Sequence, residues 1–266
     1  MRIPRRLMAN AILIIIVVTV VPVIILLLLQ TQKYPLDNLL IGFQLGFYVT
    51  LPSGVSLATA YLLARSYFVR GQASILTFGS AMLMWGWVNV ASIVFTLFAS
   101  TFGPGWTAGS VGWLLSSMLH LSGVLPSDRG SSSESSLTSR LALAYVSVTV
   151  AAAVLIYASF DGISPAFFGA AGSTPLDKSF TSLSIILFSA SSILFFMKAQ
   201  KNPRPLFLYW YSVGLAIFAV TSIPSLWGVW GVVRAGGLNA LAIVAGCLCF
   251  FISALVCLRE NFDIKK

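Results

Sequence analysis

The sequence predicts an all-α fold: a polytopic membrane helix bundle of eight transmembrane helices, one followed by seven, with both termini cytoplasmic. The first observation behind it is the composition, because 58% of the 266 residues are hydrophobic and 9% are charged, whereas soluble domains carry about 25% charged residues. The second is that apolar windows of about 20 residues, the length that crosses the hydrocarbon core, recur along the chain. The third is the alternation of basic residues between these windows, which defines one orientation.

The first span is predicted at 7–30, directly after the basic start "MRIPRR". This start is typical of a signal peptide. However, the apolar stretch is too long for one, and no small-residue cleavage site follows it. We therefore expect a retained signal-anchor helix.

The second, third and fourth spans are predicted at 38–64, 72–100 and 106–125. The last two share one charge-free window, 71–127, which is too long for a single span. Gly103-Pro104-Gly105 interrupts this window, and we expect a turn there because these residues do not continue a helix.

The second half of the chain supplies four more spans, predicted at 141–160, 179–197, 206–230 and 235–258. The serine-rich stretch 126–140 precedes them and is expected to be a flexible cytoplasmic linker, because it has nothing to bury. The longest outer connection, 160–179, contains Phe167 and Phe168 and is expected to lie at the membrane surface. The whole chain, 1–266, is expected to form one integral membrane domain.

Lysines and arginines set the orientation. With the N-terminus inside, 13 of the 16 lie in inner segments, and only Lys33, Lys178 and Arg234 lie outside. This bias is the positive-inside pattern, and we expect the plasma (cell) membrane as the location. The net charge of +9 then favours anionic membrane lipid as a partner. No nucleic acid is expected, because the basic residues are scattered over several short segments.

The residue types also disfavour most chemistry. All seven acidic residues lie in loops or at span ends, whereas coupled transporters usually keep a carboxylate at membrane depth. A metal site needs clustered ligands, so neither a metal nor another cofactor is expected from one histidine and three cysteines. Serine hydrolysis would need a serine paired with His120 and an oxyanion hole. We therefore expect no enzymatic activity.

The candidate site is a seam of neutral polar side chains along spans two to four. His120, the only histidine, is placed about 9 Å below the inner surface, at 1.5 Å per residue. The other candidates are Gln44 and Tyr48 in span two, Thr77 and Asn89 in span three, and Ser116 and Ser117 in span four. Hydrogen bonds between helices are the first interpretation, with His120 bonded near Thr77 or to span two. A sensor pocket or pH-responsive switch at His120 is the second.

Two parts of the sequence resemble a known class of membrane region. "LFLYWYSVGLAIFAVTSIPSLWGVWG" (206–231) and "GGLNALAIVAGCLCFFISALVCLRENF" (236–262) are similar to the last two helices of one kind of multi-helix sensor region. Such regions stand at the N-termini of archaeal and bacterial histidine kinases with PAS domains. "YLLARSYFVRGQASILTFGSAMLMWGWVNVASIVF" (61–95) is similar to their early helices. The resemblance covers about half the chain and implies a non-enzymatic sensor domain.

In that class the last helix continues into a cytoplasmic signalling domain, whereas this sequence ends at "RENFDIKK". The sequence is therefore expected to be a fragment of a kinase-like protein or to act through a separate cytoplasmic signalling protein. An accessory or structural subunit, docked on other membrane subunits, is the alternative, and a small-molecule transporter is less favoured. A sensor should enclose a pocket lined by the polar seam, a subunit should present a large apolar face, and a transporter should have a wet path. The sequence is also compatible with a homo-oligomer.

Overall fold

The computed structural model describes residues 8–17, 36–98, 102–124, 134–163, 167–169, 172–202 and 206–264. This part of the chain is helical apart from short turns and one small hairpin, which confirms the all-α prediction for it. It contains eight α-helices: α1 Met8–Val17, α2 Leu36–Arg70, α3 Ala73–Phe98, α4 Phe102–Ser122, α5 Glu134–Phe160, α6 Pro175–Gln200, α7 Leu206–Ser222 and α8 Gly228–Ile264. The hairpin pairs β1 Phe168–Gly169 with β2 Gly172–Ser173.

Five helices contain stretches long and apolar enough to cross a membrane, counted over the described residues. These stretches are Ala73–Ala91, Ser136–Phe160, Pro175–Gln200, Leu206–Leu226 and Leu241–Glu260. They belong to α3, α5, α6, α7 and α8. The chain is therefore compatible with a multi-pass membrane protein.

Six helices pack side by side in a closed six-helix ring. Along this ring α2 contacts α3, α3 contacts α4, α4 contacts α6, α6 contacts α7, α7 contacts α8, and α8 returns to α2. The ion pair of Arg70 Nη2 with Glu260 Oε2, 3.3 Å apart, joins α2 to α8. Outside the ring, α5 lies against α3 and α4. The Asn10 amide of α1 donates to the Tyr61 hydroxyl of α2.

Aromatic side chains from five of these helices pack together, and we call this cluster the aromatic core. It consists of Phe78 and Trp85 of α3, Trp113 of α4, Phe188 and Phe195 of α6, Phe207, Tyr211 and Phe218 of α7, and Phe250 of α8. Most of these pairs meet edge to face or tilted, the arrangements that aromatic quadrupoles favour. In a bilayer, such packing rather than removal from water holds helices together.

Two predicted boundaries are wrong because a helix begins in the segment that was expected to be irregular. Gly103-Pro104-Gly105 lies in the first turn of α4, where proline is tolerated because the N–H that it lacks would have no intrahelical partner. In the predicted linker 126–140, residues from Glu134 onward belong to α5, and Glu134 at its start suits the helix dipole. Residues 126–133 of that linker lie outside the described residues.

The predicted break between the last two spans is also misplaced. It was expected after residue 230, but the chain turns at a 3₁₀ segment, Ile223–Trp227, and α8 then begins at Gly228. Pro224 explains the position, because proline disfavours continuation of the helix through the residue before it. Arg234 therefore lies on α8 rather than in a turn.

Candidate functional site

The histidine of the predicted seam lies in the last turn of α4, fully buried in the bundle. Its Nδ1 atom is 2.6 Å from the hydroxyl oxygen of Tyr211 on α7. The imidazole stacks on Phe250 of α8, with centroids 5.5 Å apart and planes at 11°, and it meets Phe188 of α6 at 5.7 Å. The predicted partner near Thr77 or on span two is therefore wrong. His120 bonds to α7, which α6 separates from α4 in the six-helix ring.

The spacing of α7 explains why Tyr211 points inward. Phe207, Tyr211, Leu215 and Phe218 are buried at intervals of four, four and three residues, which places them on one face of a helix. On the other side, Tyr211 packs against Phe78 of α3 at a centroid distance of 4.4 Å. Tyr211 thus belongs to the aromatic core, and the hydrogen-bonded pair contacts α3, α6 and α8.

The remaining seam residues do not form one network. The Ser116 hydroxyl donates across helices to the Ala81 carbonyl of α3 at 3.0 Å. By contrast, three others donate to carbonyls of their own helices: Ser117 to Leu114, Thr77 to Ser74 and Asn89 to Trp85. Such local bonds are common for short polar side chains within helices. The side chains of Gln44 and Tyr48 lie outside the described residues, so their predicted place in the seam stays a prediction.

A second polar cluster lies at the start of α6 and was not expected. Asp177, the third residue of α6, is fully buried. Its carboxylate accepts from Trp106 Nε1 at 3.0 Å, from Ser110 Oγ at 2.5 Å and from Ser173 Oγ. These donors come from α4 and from β2, so the carboxylate joins three elements. We call Asp177 with these three donors the Asp177 cluster.

The local sequence contained part of the signal for this cluster. Thr174 is the N-cap of α6, and its hydroxyl oxygen accepts from the backbone N–H of Asp177 at 3.3 Å. Proline follows at the first helical position, so "STPLD" combines a capping residue, proline and an acid in the order typical of a helix start. The donors on α4 are 67 and 71 residues away in sequence. No local pattern could identify them.

Phe167, directly before the hairpin, is packed inside the protein. Phe167 is 2% exposed and meets Phe180 of α6 edge to face at 5.1 Å. Its carbonyl accepts from the Thr174 backbone N–H and from the Thr174 hydroxyl. The expectation of a surface-lying loop is therefore wrong at Phe167. The side chain of Phe168 lies outside the described residues.

Chemically, the His120–Tyr211 pair and the Asp177 cluster join helices through hydrogen bonds. Over the described residues, three or more His, Cys, Asp or Glu side chains nowhere come together in a way that could hold a metal ion. All three cysteines are buried, and Cys247 Sγ lies 3.9 Å from Ser56 Oγ.

The bond between His120 and Tyr211 should be measurable as a coupling free energy. His120→Phe leaves the buried Tyr211 hydroxyl without its acceptor, and we expect a loss of about 1–3 kcal/mol in the free energy of unfolding. The double variant with Tyr211→Phe should lose less than the sum of the single variants, with a coupling of about 0.6–1.7 kcal/mol. His120→Gln should cost about 1 kcal/mol or less. Denaturant unfolding in one detergent compares the unsubstituted protein with the four variants, and strict additivity of the two phenylalanine substitutions would contradict the bond.

Comparison with known proteins gives no relative: no protein-family model, no curated protein and no solved structure matches this chain.

Proposed function

We propose that this chain is a non-enzymatic, multi-pass membrane domain of the sensor type. In this proposal a small apolar or membrane-borne signal changes the packing of the aromatic core, and the inner ends of the helices pass the change to a cytoplasmic partner. Eight spans with both termini cytoplasmic in the cell membrane are part of the proposal. The alternation of basic residues supports this orientation.

The observation that carries the proposal is the buried bond between His120 and Tyr211. It lies in the middle of aromatic packing that includes α3, α4, α6, α7 and α8. A shift at this bond would have to move several helices together, because tightly packed interiors transmit displacement rather than absorb it. A hydrogen bond that served only to join two helices would not need to lie where five helices meet.

The inner ends of the helices offer a route for such a change. Lys198 Nζ of α6 lies 3.5 Å from the Val124 carbonyl, just after α4. On the other side of the ring, Arg70 of α2 pairs with Glu260 of α8. Both contacts involve side chains near the proposed cytoplasmic surface, where a bound partner could respond to their rearrangement.

Labelling from outside the cell tests the proposed topology. Single-cysteine variants in a background without native cysteines would carry the label at Ile163→Cys, after α5, or at Lys201→Cys, after α6; both native side chains are exposed. We expect a membrane-impermeant maleimide to label residue 163 in intact cells and residue 201 only after permeabilisation. Labels in the 126–140 linker and at both termini should behave like residue 201. Labelling of residue 201 in intact cells would contradict the orientation.

Native mass spectrometry of protein released from its own membranes tests the function. We expect the chain to carry a small molecule at a fixed ratio. Its removal should change distances between spin labels on the inner ends of α4 and α6, and the same labels in Tyr211→Phe should respond less. A conformational change between about pH 5 and 7 that His120→Gln abolishes would instead favour the proton as the signal. Release without a bound molecule and without any distance change would contradict a sensor.

One observation favours the alternative, an accessory subunit of a membrane complex. Only 11% of the apolar stretch of α5 is buried, against 56% for those of α3 and α7. Its exposed residues include Leu143, Val146, Val150, Val154 and Tyr157, at the spacing of one helix face. Lipid alone could cover this face. In the same mass spectra, a fixed complex with other membrane chains would favour the subunit.

A further inference from the structure

We propose that His120 Nε2 and the Ser191 hydroxyl form a binding site for one small neutral molecule that accepts a hydrogen bond. The occupant is of one chemistry, an uncharged oxygen acceptor. It can come from water or from the carbonyl or hydroxyl group of a membrane-soluble compound. The inference deepens the proposed function, on which it rests for its role in sensing, whereas the binding itself does not depend on that role.

The bond to Tyr211 determines which ring nitrogen of His120 carries the proton. Over the described residues, the Tyr211 hydroxyl has one hydrogen-bond partner, His120 Nδ1 at 2.6 Å. A buried phenol satisfies its donor if its O–H points at Nδ1, so Nδ1 is the acceptor of this pair. In a neutral imidazole the proton is then on Nε2. This assignment follows from the hydrogen-bond pattern.

The other ring nitrogen of His120 is Nε2. It is buried, and within the described part of the chain it has no hydrogen-bond partner. With the tautomer above, it is an N–H donor that is removed from water and from protein acceptors. Nearly all such buried groups in proteins are satisfied, by protein or by a bound molecule. An acceptor at Nε2 is therefore expected.

A second buried polar group lies on α6, which packs against α4. Ser191 of α6 is fully buried, and its hydroxyl likewise has no partner among the described residues. Ser191 lies between Phe188 and Phe195 on the buried face of α6. The Phe188 ring meets His120, and the Phe195 ring meets Tyr211 at 5.3 Å. Ser191 therefore lies on the face of α6 whose rings contact the bonded pair.

Ser184, two turns before Ser191 on α6, differs from it in hydrogen bonding. Ser184 is buried on the same face of α6, and its hydroxyl donates to the Phe180 carbonyl at 2.9 Å. Ser191 could bond to its own helix in the same way but does not. A hydroxyl that is both donor and acceptor, opposite an N–H donor, suits a molecule that bridges the two.

The surroundings limit the occupant to a neutral molecule of small size. Aromatic rings of Phe188, Tyr211 and Phe250 surround the imidazole. Two basic groups lie on the same helix as Ser191, Lys178 and Lys198; both are exposed, and Lys198 donates to the Val124 carbonyl. A charged ligand would be costly here because no opposite charge accompanies it. Water, or the carbonyl end of a slender apolar compound, fits this chemistry.

The single histidine makes a direct test feasible. Perdeuterated protein with ¹⁵N-labelled histidine, in nanodiscs of phosphatidylcholine and phosphatidylglycerol, gives one pair of imidazole nitrogens by NMR. We expect a proton on Nε2 and none on Nδ1, and a through-space cross-peak from the Nε2 proton to water. In protein kept in native lipid, a cross-peak to carbon-bound protons would identify a membrane-soluble occupant. Either cross-peak supports the site and names the source.

Ser191→Ala and Ser184→Ala are matched variants, since both remove one buried hydroxyl from the same face of α6. We expect Ser191→Ala to shift the Nε2 proton resonance and weaken the cross-peak, and Ser184→Ala to leave both unchanged. A proton on Nδ1, no cross-peak in either membrane, or equal effects of the two variants would overturn the site. The unsubstituted protein alone can give the first two results, so the test does not depend on how the variants fold. Such a result would overturn the binding site but would not contradict the sensor proposal, which the spin-label experiment tests.

Discussion

Asp177→Ala is expected to lower the free energy of unfolding by about 1–3 kcal/mol, because half-buried donors lose the fully buried carboxylate that accepts from them. Three donors lose their acceptor at once: the Trp106 indole and the hydroxyls of Ser110 and Ser173. Asp177→Asn should cost less, since the amide oxygen still accepts. Thermal or denaturant unfolding in one detergent measures the loss.

Asp161→Ala is the control for this change. Asp161 follows α5, and its side chain is exposed, so the variant removes a carboxylate without leaving buried donors unpaired. We expect a change within about 0.5 kcal/mol, as for most surface substitutions. If both variants lost the same stability, general charge effects would explain the result, and the Asp177 cluster would not be a point of attachment between α4, β2 and α6.

The apolar amino-acid composition of the chain, rather than any motif, made the all-α fold predictable. Long apolar stretches separated by charged segments can only cross a bilayer as helices or closed barrels. The closed six-helix ring was not predictable in the same way. In a bilayer both the lipid-facing and the core-facing sides of a helix are apolar, so hydropathy barely distinguishes them. The position of α5 outside the ring therefore left little trace in the sequence.

The candidate site shows the same limit. Depth along a helix follows from residue counting, and the structure does bring Thr77 beside Gly123, three residues after His120. The direction in which a side chain leaves the helix does not follow from counting. The sequence therefore pointed to a His120 partner on span two or three. The actual partner, Tyr211, is 91 residues away. The local signal at "STPLD" was present, but it indicated a helix start and not the buried carboxylate.

The aromatic core should carry more stability than any polar contact in the bundle, and Phe218 is its best test. This side chain is fully buried and meets the rings of Trp113 at 4.9 Å and Phe250 at 5.1 Å. It also lies beside Phe188 and Trp85, so four other helices of the six-helix ring contact it.

Phe218→Ala is expected to lower the free energy of unfolding by about 3–5 kcal/mol, because it leaves a cavity where rings from several helices meet. Val220→Ala on the same helix is the matched control. Val220 is 62% exposed and faces lipid in the proposed topology, so its truncation should cost about 0.5 kcal/mol or less. Denaturant titration in one detergent compares the two. Equal losses would mean that the helices are not held together at Phe218, and the proposed transmission of a signal through the aromatic core would lose its physical basis.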